Sequence, residues 1–197
     1  MIHTTYEPPS LEIWLTKALG YSVLSPYYHS FAGTLDLSGT ERVLDFGSGS
    51  GALSRHLASA LEESGGHLDC VEISPGWMEA IRRSLSGFDN VSFHLGWIKD
   101  LGLPDQAYDA VVVHHVFHEI SEVELQEVVQ VLVKKLRPGG RLLVREPGGQ
   151  GLSIGKLTKL IRRAGAYLQH ANTSEQALIG EYFDAHFQVP PGNENLI

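Results

Sequence analysis

Val43-Leu44-Asp45-Phe46-Gly47-Ser48-Gly49-Ser50-Gly51 decides the reading of this chain. Apolar residues and one acid run straight into three glycines at alternate positions. The pattern predicts a buried strand that ends in a tight, bare-backbone loop. Glycine there permits positive φ and lets a ligand approach the main chain. Ala52 to Glu62 is rich in helix formers, so the loop opens a helix whose first N–H groups point at whatever sits in it. Strand, glycine loop and helix start together form a nucleotide-type binding turn.

Outward from that turn the chain alternates strands and helices. Leu11, Trp14, Leu15, Ala18 and Leu19 are spaced as on a helix over Leu11–Leu24. Pro26-Tyr27-Tyr28-His29 reads as an aromatic turn. Strands are expected at Arg42–Phe46, Leu68–Ile73, Asn90–Leu95, Asp109–His114 and Arg141–Arg145. Ser74-Pro75 starts a helix reaching about Ser86, and Arg137-Pro138-Gly139-Gly140 stops another that begins at Glu122. The expected architecture is α/β, with a doubly wound, mostly parallel sheet built from right-handed crossovers. Beyond Pro147 the pattern weakens. Leu152–Leu168 and Ser174–Phe187 read as helices, and His186–Val189 as at most one short strand before Pro190 and Pro191.

With 197 residues the chain fits one domain, and 43% hydrophobic with 19% charged residues supports a packed core. A net charge of −8 argues against holding nucleic acid or an anionic membrane by general electrostatics. The single Cys70 excludes a disulfide framework or a cysteine metal cluster within the chain. No apolar run approaches the ~20 residues of a membrane span, and Met1–Ser10 does not read as a signal peptide. A cytoplasmic protein is the expectation.

The loop alone admits two ligands. Gly47-x-Gly49-x-x-Ala52 satisfies a loose dinucleotide fingerprint, and Glu72 stands at a suitable distance for a ribose hydroxyl. An NAD(P)-dependent oxidoreductase is therefore one reading. Asp45 weighs against it: a carboxylate just before the glycines repels a pyrophosphate and suits a ligand with a cationic amine.

Downstream motifs extend the comparison. Val71-Glu72-Ile73-Ser74 follows the first motif, then Gly96-Trp97-Ile98-Lys99-Asp100-Leu101-Gly102-Leu103-Pro104. Tyr108-Asp109-Ala110-Val111-Val112-Val113-His114-His115-Val116-Phe117-His118-Glu119-Ile120 and Leu136-Arg137-Pro138-Gly139-Gly140-Arg141-Leu142-Leu143-Val144 come next. From about Glu41 to Pro147 the chain resembles the class I S-adenosylmethionine-dependent methyltransferases of the small-molecule type, with a Rossmann-like fold. The resemblance implies S-adenosylmethionine as cofactor and a small-molecule acceptor. It divides the single domain, 1–197, into an N-terminal helical lid (1–40), a cofactor core (41–147) and a helical cap with the last sheet elements (148–197).

The resemblance also assigns roles. The backbone of Gly47, Ser48, Gly49 and Gly51 would cradle the methionine part, with Asp45 near its amino group, directly or through water. Glu72 would accept both ribose hydroxyls, and Ile73 would pack on one adenine face. Trp97 and Ile98 stand at the adenine edge, where the family often has Asp. Indole cannot accept a hydrogen bond. Either Trp97 covers the ring, or the Ile98 backbone or Asp100 reads it. His114 would lie beside the methionine moiety. Methyl transfer itself requires neither a triad nor a metal, and no metal site is expected. A non-catalytic, cofactor-binding homologue remains a further reading.

Other residues carry two readings each. His114 and His115 are candidate catalytic bases, while His118 and Glu119 are expected to hold the connection after strand four by hydrogen bonds. Tyr27 and Tyr28 either close over the acceptor as a lid or form a packed aromatic turn. Trp14 reads as core or lid packing. Glu146 either faces the substrate or holds a loop. Lys156, Lys159, Arg162 and Arg163 read as a solvated face. This family usually ends its sheet with a strand pair, so a shortened or incomplete C-terminal pair is expected here. The uncovered sheet edge would then call for a homodimer.

Overall fold

In the computed structural model, residues 7–148, 152–176 and 180–192 are described. The chain forms two compact units, one ending at Leu101 and one beginning at Gly102. The first unit contains α1 (Ser10–Tyr21), α2 (Ser25–Gly33), β1 (Arg42–Phe46), α3 (Ala52–Glu62), β2 (His67–Glu72), α4 (Pro75–Ser84) and β3 (Val91–Leu95). β2 lies between β1 and β3 and is parallel to both, with Asp45 opposite Cys70 and Glu72 opposite Leu95. Leu44, Leu57, Leu61, Leu68 and Ile81 are fully buried in its core. Ser74 caps α4 by accepting from Trp77 N–H at 3.1 Å, with Pro75 in the first turn as expected.

The N-terminal helices depart from expectation. Pro26-Tyr27-Tyr28-His29 is not a turn but lies within α2. Proline suits the first turn of a helix, where its missing N–H leaves no bond unmade. Trp14 is not core: it is 63% exposed, beside exposed Leu11, Leu15 and Leu19.

The second unit contains β4 (Tyr108–His114), α5 (Glu122–Lys135), β5 (Leu136–Pro147), α6 (Ile154–Ala164), β6 (Tyr167–Gln176) and β7 (Gly180–Gln188). β4 and β5 pair in parallel; β7 lies antiparallel between β5 and β6. Val111, Val112 and Val113 are fully buried, as a strand covered on both faces requires.

The C-terminal strand pair is therefore complete rather than shortened. β6 has 10 residues and β7 has 9. The helix expected over Ser174–Phe187 is absent among the described residues; that stretch ends β6 and forms most of β7. Helix formers in Ser174–Phe187 mislead, because strand pairing and burial override local propensity. The signal lay in the alternation of Phe183, Ala185 and Phe187, all buried. Asp184 points to the other side, where its carboxylate accepts from Arg145 at 2.5 and 2.6 Å. Those two residues stand directly opposite in the β5–β7 register. With the pair present, the missing-strand argument for a homodimer falls away. The helix expected over Leu152–Leu168 is α6, which stops at Ala164, with Gly165 at φ +104° as its cap.

Candidate cofactor site

In the first unit, β1 and β2 end side by side and the glycine loop bridges them. Gly47 and Ser48 donate their N–H groups to the Val71 carbonyl at 2.9 and 3.1 Å. Gly47, Gly49 and Gly51 have φ of +74°, +51° and +79°. A side chain at Gly51 would also place Cβ 2.7 Å from Ile81 Cγ1. Both conformation and space therefore demand glycine there.

Glu72 organises this loop. One carboxylate oxygen accepts from Ile73 and Ser74 N–H at 2.8 and 2.9 Å, and the other accepts from Gly49 N–H at 2.9 Å. A carboxylate offers about four lone-pair positions over its two oxygens, so one side chain can serve several donors at once. The carboxylate that would receive a ribose thus also fixes the loop that would receive the methionine part.

Asp45 is 2% exposed. It accepts from Ser54 Oγ at 2.5 Å, while Ser48 Oγ donates to its carbonyl at 2.9 Å. Burial pushes the Asp45 carboxyl up to about 6, the two serines oppose the rise and the Glu72 charge adds to it. Ser54 was not singled out from the sequence. Its signal was a serine on the apolar stripe of Leu53, Leu57, Ala58 and Leu61.

A raised carboxyl contributes stability below its ordinary pKa, and that contribution is lost as pH rises through the folded value. The difference in stability between the protein and Asp45→Asn should therefore shrink by roughly 2–3 kcal/mol between about pH 4 and 7. Urea melts of both proteins at four pH values test this; a constant difference would show that the site leaves Asp45 unperturbed.

Glu7 was also missed, since nothing local links it to a segment 67 residues away. Its carboxylate accepts from Ser74 Oγ at 2.8 Å and Gly76 N–H at 2.7 Å, at the N-terminus of α4. An anion suits that helix end. Ser74 is thus held twice, through its hydroxyl by Glu7 and through its N–H by Glu72. Glu7→Ala should cost about 1 kcal/mol, or ~2–4 °C in Tm for a chain of this size. Calorimetry checks it, and an unchanged Tm would mean that the clamp carries no weight.

Ile73 and Trp97 are half-buried. Ile98 is 1% exposed, so its side chain is core and only its backbone is left to read a ligand. Tyr27 is buried and its ring meets that of Tyr28 edge-on at 5.3 Å, the geometry of a packed aromatic pair.

The second unit gathers the histidines. His114 ends β4, and His115 follows with φ +56°. Their rings stack at 4.3 Å. Burial, with neighbouring His115 and Arg145, drives His114 well below the ordinary imidazole range. Burial pulls His115 down to about 4. Both rings are therefore neutral at pH 7.

Glu146 does not face outward. It is fully buried and accepts from Val116 and Phe117 N–H at 2.8 Å each, and from His118 Nδ1 at 2.7 Å. That hydrogen bond raises His118. The carboxylate thus ties down the connection after β4, the role expected of His118, and the substrate-facing reading of Glu146 is corrected. Among the described residues no group of three or more His, Cys, Asp or Glu is placed to hold a metal ion. No helix among them is long and apolar enough to cross a membrane.

Comparison with known proteins accords with this geometry. Residues 43–140 match the family described as "Methyltransferase domain". The chain is 35% identical over 162 residues to the demethylmenaquinone methyltransferase of Clavibacter sepedonicus, covering 79% of this chain and 62% of that one. It is 34% identical over 129 residues to the protein-L-isoaspartate O-methyltransferase of Myxococcus xanthus, covering 64% of this chain and 55% of that one. The chain thus spans less than two thirds of the length of these relatives. The N-methyltransferase NodS of Bradyrhizobium japonicum, solved with S-adenosyl-l-homocysteine, superposes with a TM-score of 0.74 at 16% identity. That alignment covers 91% of this chain and 97% of NodS, and it shows a shared Rossmann-like fold.

Proposed function

The chain belongs to the class I S-adenosylmethionine-dependent methyltransferases, and from that premise we propose that it transfers a methyl group to a small-molecule acceptor by direct displacement. One observation carries the reading over a dinucleotide oxidoreductase. Two buried carboxylates, Asp45 and Glu72, stand at the ends of adjacent strands on either side of the glycine loop. A pyrophosphate in that loop would face both charges; a ligand with an ammonium and a sulfonium would be attracted by them. The similarity to a demethylmenaquinone methyltransferase supports a small acceptor.

When bound, the cofactor supplies an activated methyl group, so the protein's task is alignment and exclusion of water. Gly47, Ser48, Gly49 and Gly51 hold the methionine part, Asp45 balances its amine, and Glu72 accepts from the ribose. Ile73, Trp97 and the Ile98 backbone receive the adenine. Titration calorimetry with S-adenosylhomocysteine and with NAD tests the reading. Binding of the first alone is expected; binding of NAD alone would reverse the assignment. Turnover on a panel of small acceptors then separates an enzyme from a non-catalytic homologue.

His115 is the candidate base. Its neutral ring can take a proton, but a conjugate acid near 4 makes it a weak base at neutral pH. Asparagine tolerates the positive φ at this position and removes the base. His115→Asn should lower turnover at saturating acceptor about tenfold, below the usual range for a well-matched base, with S-adenosylhomocysteine affinity unchanged. Equal turnover would remove His115 from the chemistry.

A further inference from the structure

A cavity lies in the first unit, on the side of α3 that does not carry Ser54. It has a volume of about 330 Å³ and is bounded by the end of α1, the start of α2 and α3. Arg55, His56, Ser25, Ser59, Tyr21 and Phe88 line it. No acid is among the lining residues, in a protein whose net charge is −8. Its volume sits at the lower end of small-ligand sites.

The lining combines a cation, hydroxyls and two ring faces. Arg55 and Ser59 are spaced four apart on α3 and face the same way. His56 Nε2 and Ser25 Oγ are 3.3 Å apart. The Arg55 guanidinium lies 5.7 Å over the Tyr21 ring, and its charge forms no ion pair among the described residues. His29 stacks edge-on against His56 at 5.4 Å. Burial, then His29 and Arg55, lower His56, so its ring is neutral and the pocket's fixed charge is that of Arg55.

The cavity is also linked to the glycine loop. The Tyr21 hydroxyl donates to the Ser50 carbonyl at 3.2 Å. Gly20 packs so closely on α3 that a Cβ would stand 2.9 Å from Ala52 Cβ. One residue, Tyr21, therefore lines the cavity and braces the cofactor loop.

We propose that this cavity is a regulatory site for a small aromatic anion, a phosphate monoester or carboxylate, and that its occupation tightens cofactor binding through Tyr21. The Arg55 fork would take the anion in two parallel hydrogen bonds, with Ser25 and Ser59 completing its coordination. Tyr21 and Phe88 would hold the ring. With the cavity filled, the Tyr21 ring loses freedom to leave Ser50, and the loop is held ready for the cofactor.

The coupling rests on the cofactor reading above, but the site does not, so each is measured separately. Phenyl phosphate titrated into the cofactor-free full chain should bind, and Arg55→Leu should weaken it about tenfold or more. Ser59→Ala is a second variant with a smaller loss, and thermal melts check that both fold. S-adenosylhomocysteine should then bind about fivefold tighter at saturating phenyl phosphate, an ordinary coupling. Tyr21→Phe should keep phenyl phosphate binding and lose the coupling. Absence of phenyl phosphate binding, equal binding by Arg55→Leu, competition with S-adenosylhomocysteine, or no coupling would each overturn the proposal. Failure of S-adenosylhomocysteine to bind at all would instead strike the cofactor reading, while the direct titration still decides the site.

Discussion

Glu72→Gln should weaken S-adenosylhomocysteine binding by ~10²–10⁴-fold while leaving the protein folded. The carboxylate has two tasks, and the amide fails at both. In the protein alone its two oxygens accept from Gly49, Ile73 and Ser74 N–H. An amide can satisfy one side, but its NH₂ then opposes a backbone N–H on the other. Since Ile73 and Ser74 together require an acceptor, the NH₂ turns toward Gly49, and the glycine loop loses its anchor. The second task is acceptance from a ribose diol, for which Gln keeps at most half the capacity. Hydrogen bonds to a charged group are worth about 1.5–3 kcal/mol each, so two of them account for ~3–6 kcal/mol. Titration calorimetry measures the loss, with a thermal melt to confirm folding. Affinity within threefold of the unaltered protein would place the ribose elsewhere. Glu72→Asp is the informative companion: it keeps the charge but shortens the reach, and should fall between the two.

The parts of this site that were legible in the sequence are those set by short-range constraints. Val43–Gly51 spans nine consecutive residues, and each glycine meets a local steric demand, so the strand, loop and helix start follow from the stretch itself. Glu72 was legible from its distance after the glycine loop and as the acid that ends the second strand. Ser54 was half legible, as the polar residue on an apolar helix stripe. Glu7 was not, because its partners are reached only after α4 is in place. The histidines show the converse. Their clustering in sequence invited a catalytic reading for His114 and His115 and a hydrogen-bonding one for His118, whose partner proves to be Glu146, a residue 28 positions away. The sequence could show a group of imidazoles but not which of them had a buried carboxylate to bind. The C-terminal pair was misread for a related reason. β6, Tyr167–Gln176, is largely polar and carries little β-branched character, and among the described residues it pairs with β7 alone. Its strand state is imposed by that pairing rather than by its own residues.

Asp184→Asn should destabilise the protein by about 3–5 kcal/mol, the loss expected when one partner of a buried ion pair is removed. Arg145 and Asp184 are 4% and 6% exposed, and their two parallel hydrogen bonds cross from β5 to β7. The Arg145 guanidinium also lies 4.5 Å over the Tyr182 ring, so its plane is held on a second side. Neutralising the acid leaves a guanidinium charge with its strongest partner gone, in a place where water cannot replace it. For a chain of this size the expected fall in Tm is ~10 °C or more. The double variant Arg145→Met/Asp184→Leu separates the two possible meanings of the pair. If the pair serves chiefly to set the register of β7 against β5, the double variant recovers most of the stability and its hairpin amides exchange faster. If it supplies net stability, the double variant stays as low as the single one. A Tm for Asp184→Asn within about 2 °C of the unaltered protein would mean that β7 is held by Phe183, Ala185 and Phe187 alone. The outcome bears on the site as well, because β5 carries Glu146 next to Arg145. A shift of β5 against β7 would move the carboxylate that holds Val116, Phe117 and His118, and with it the connection that presents His115.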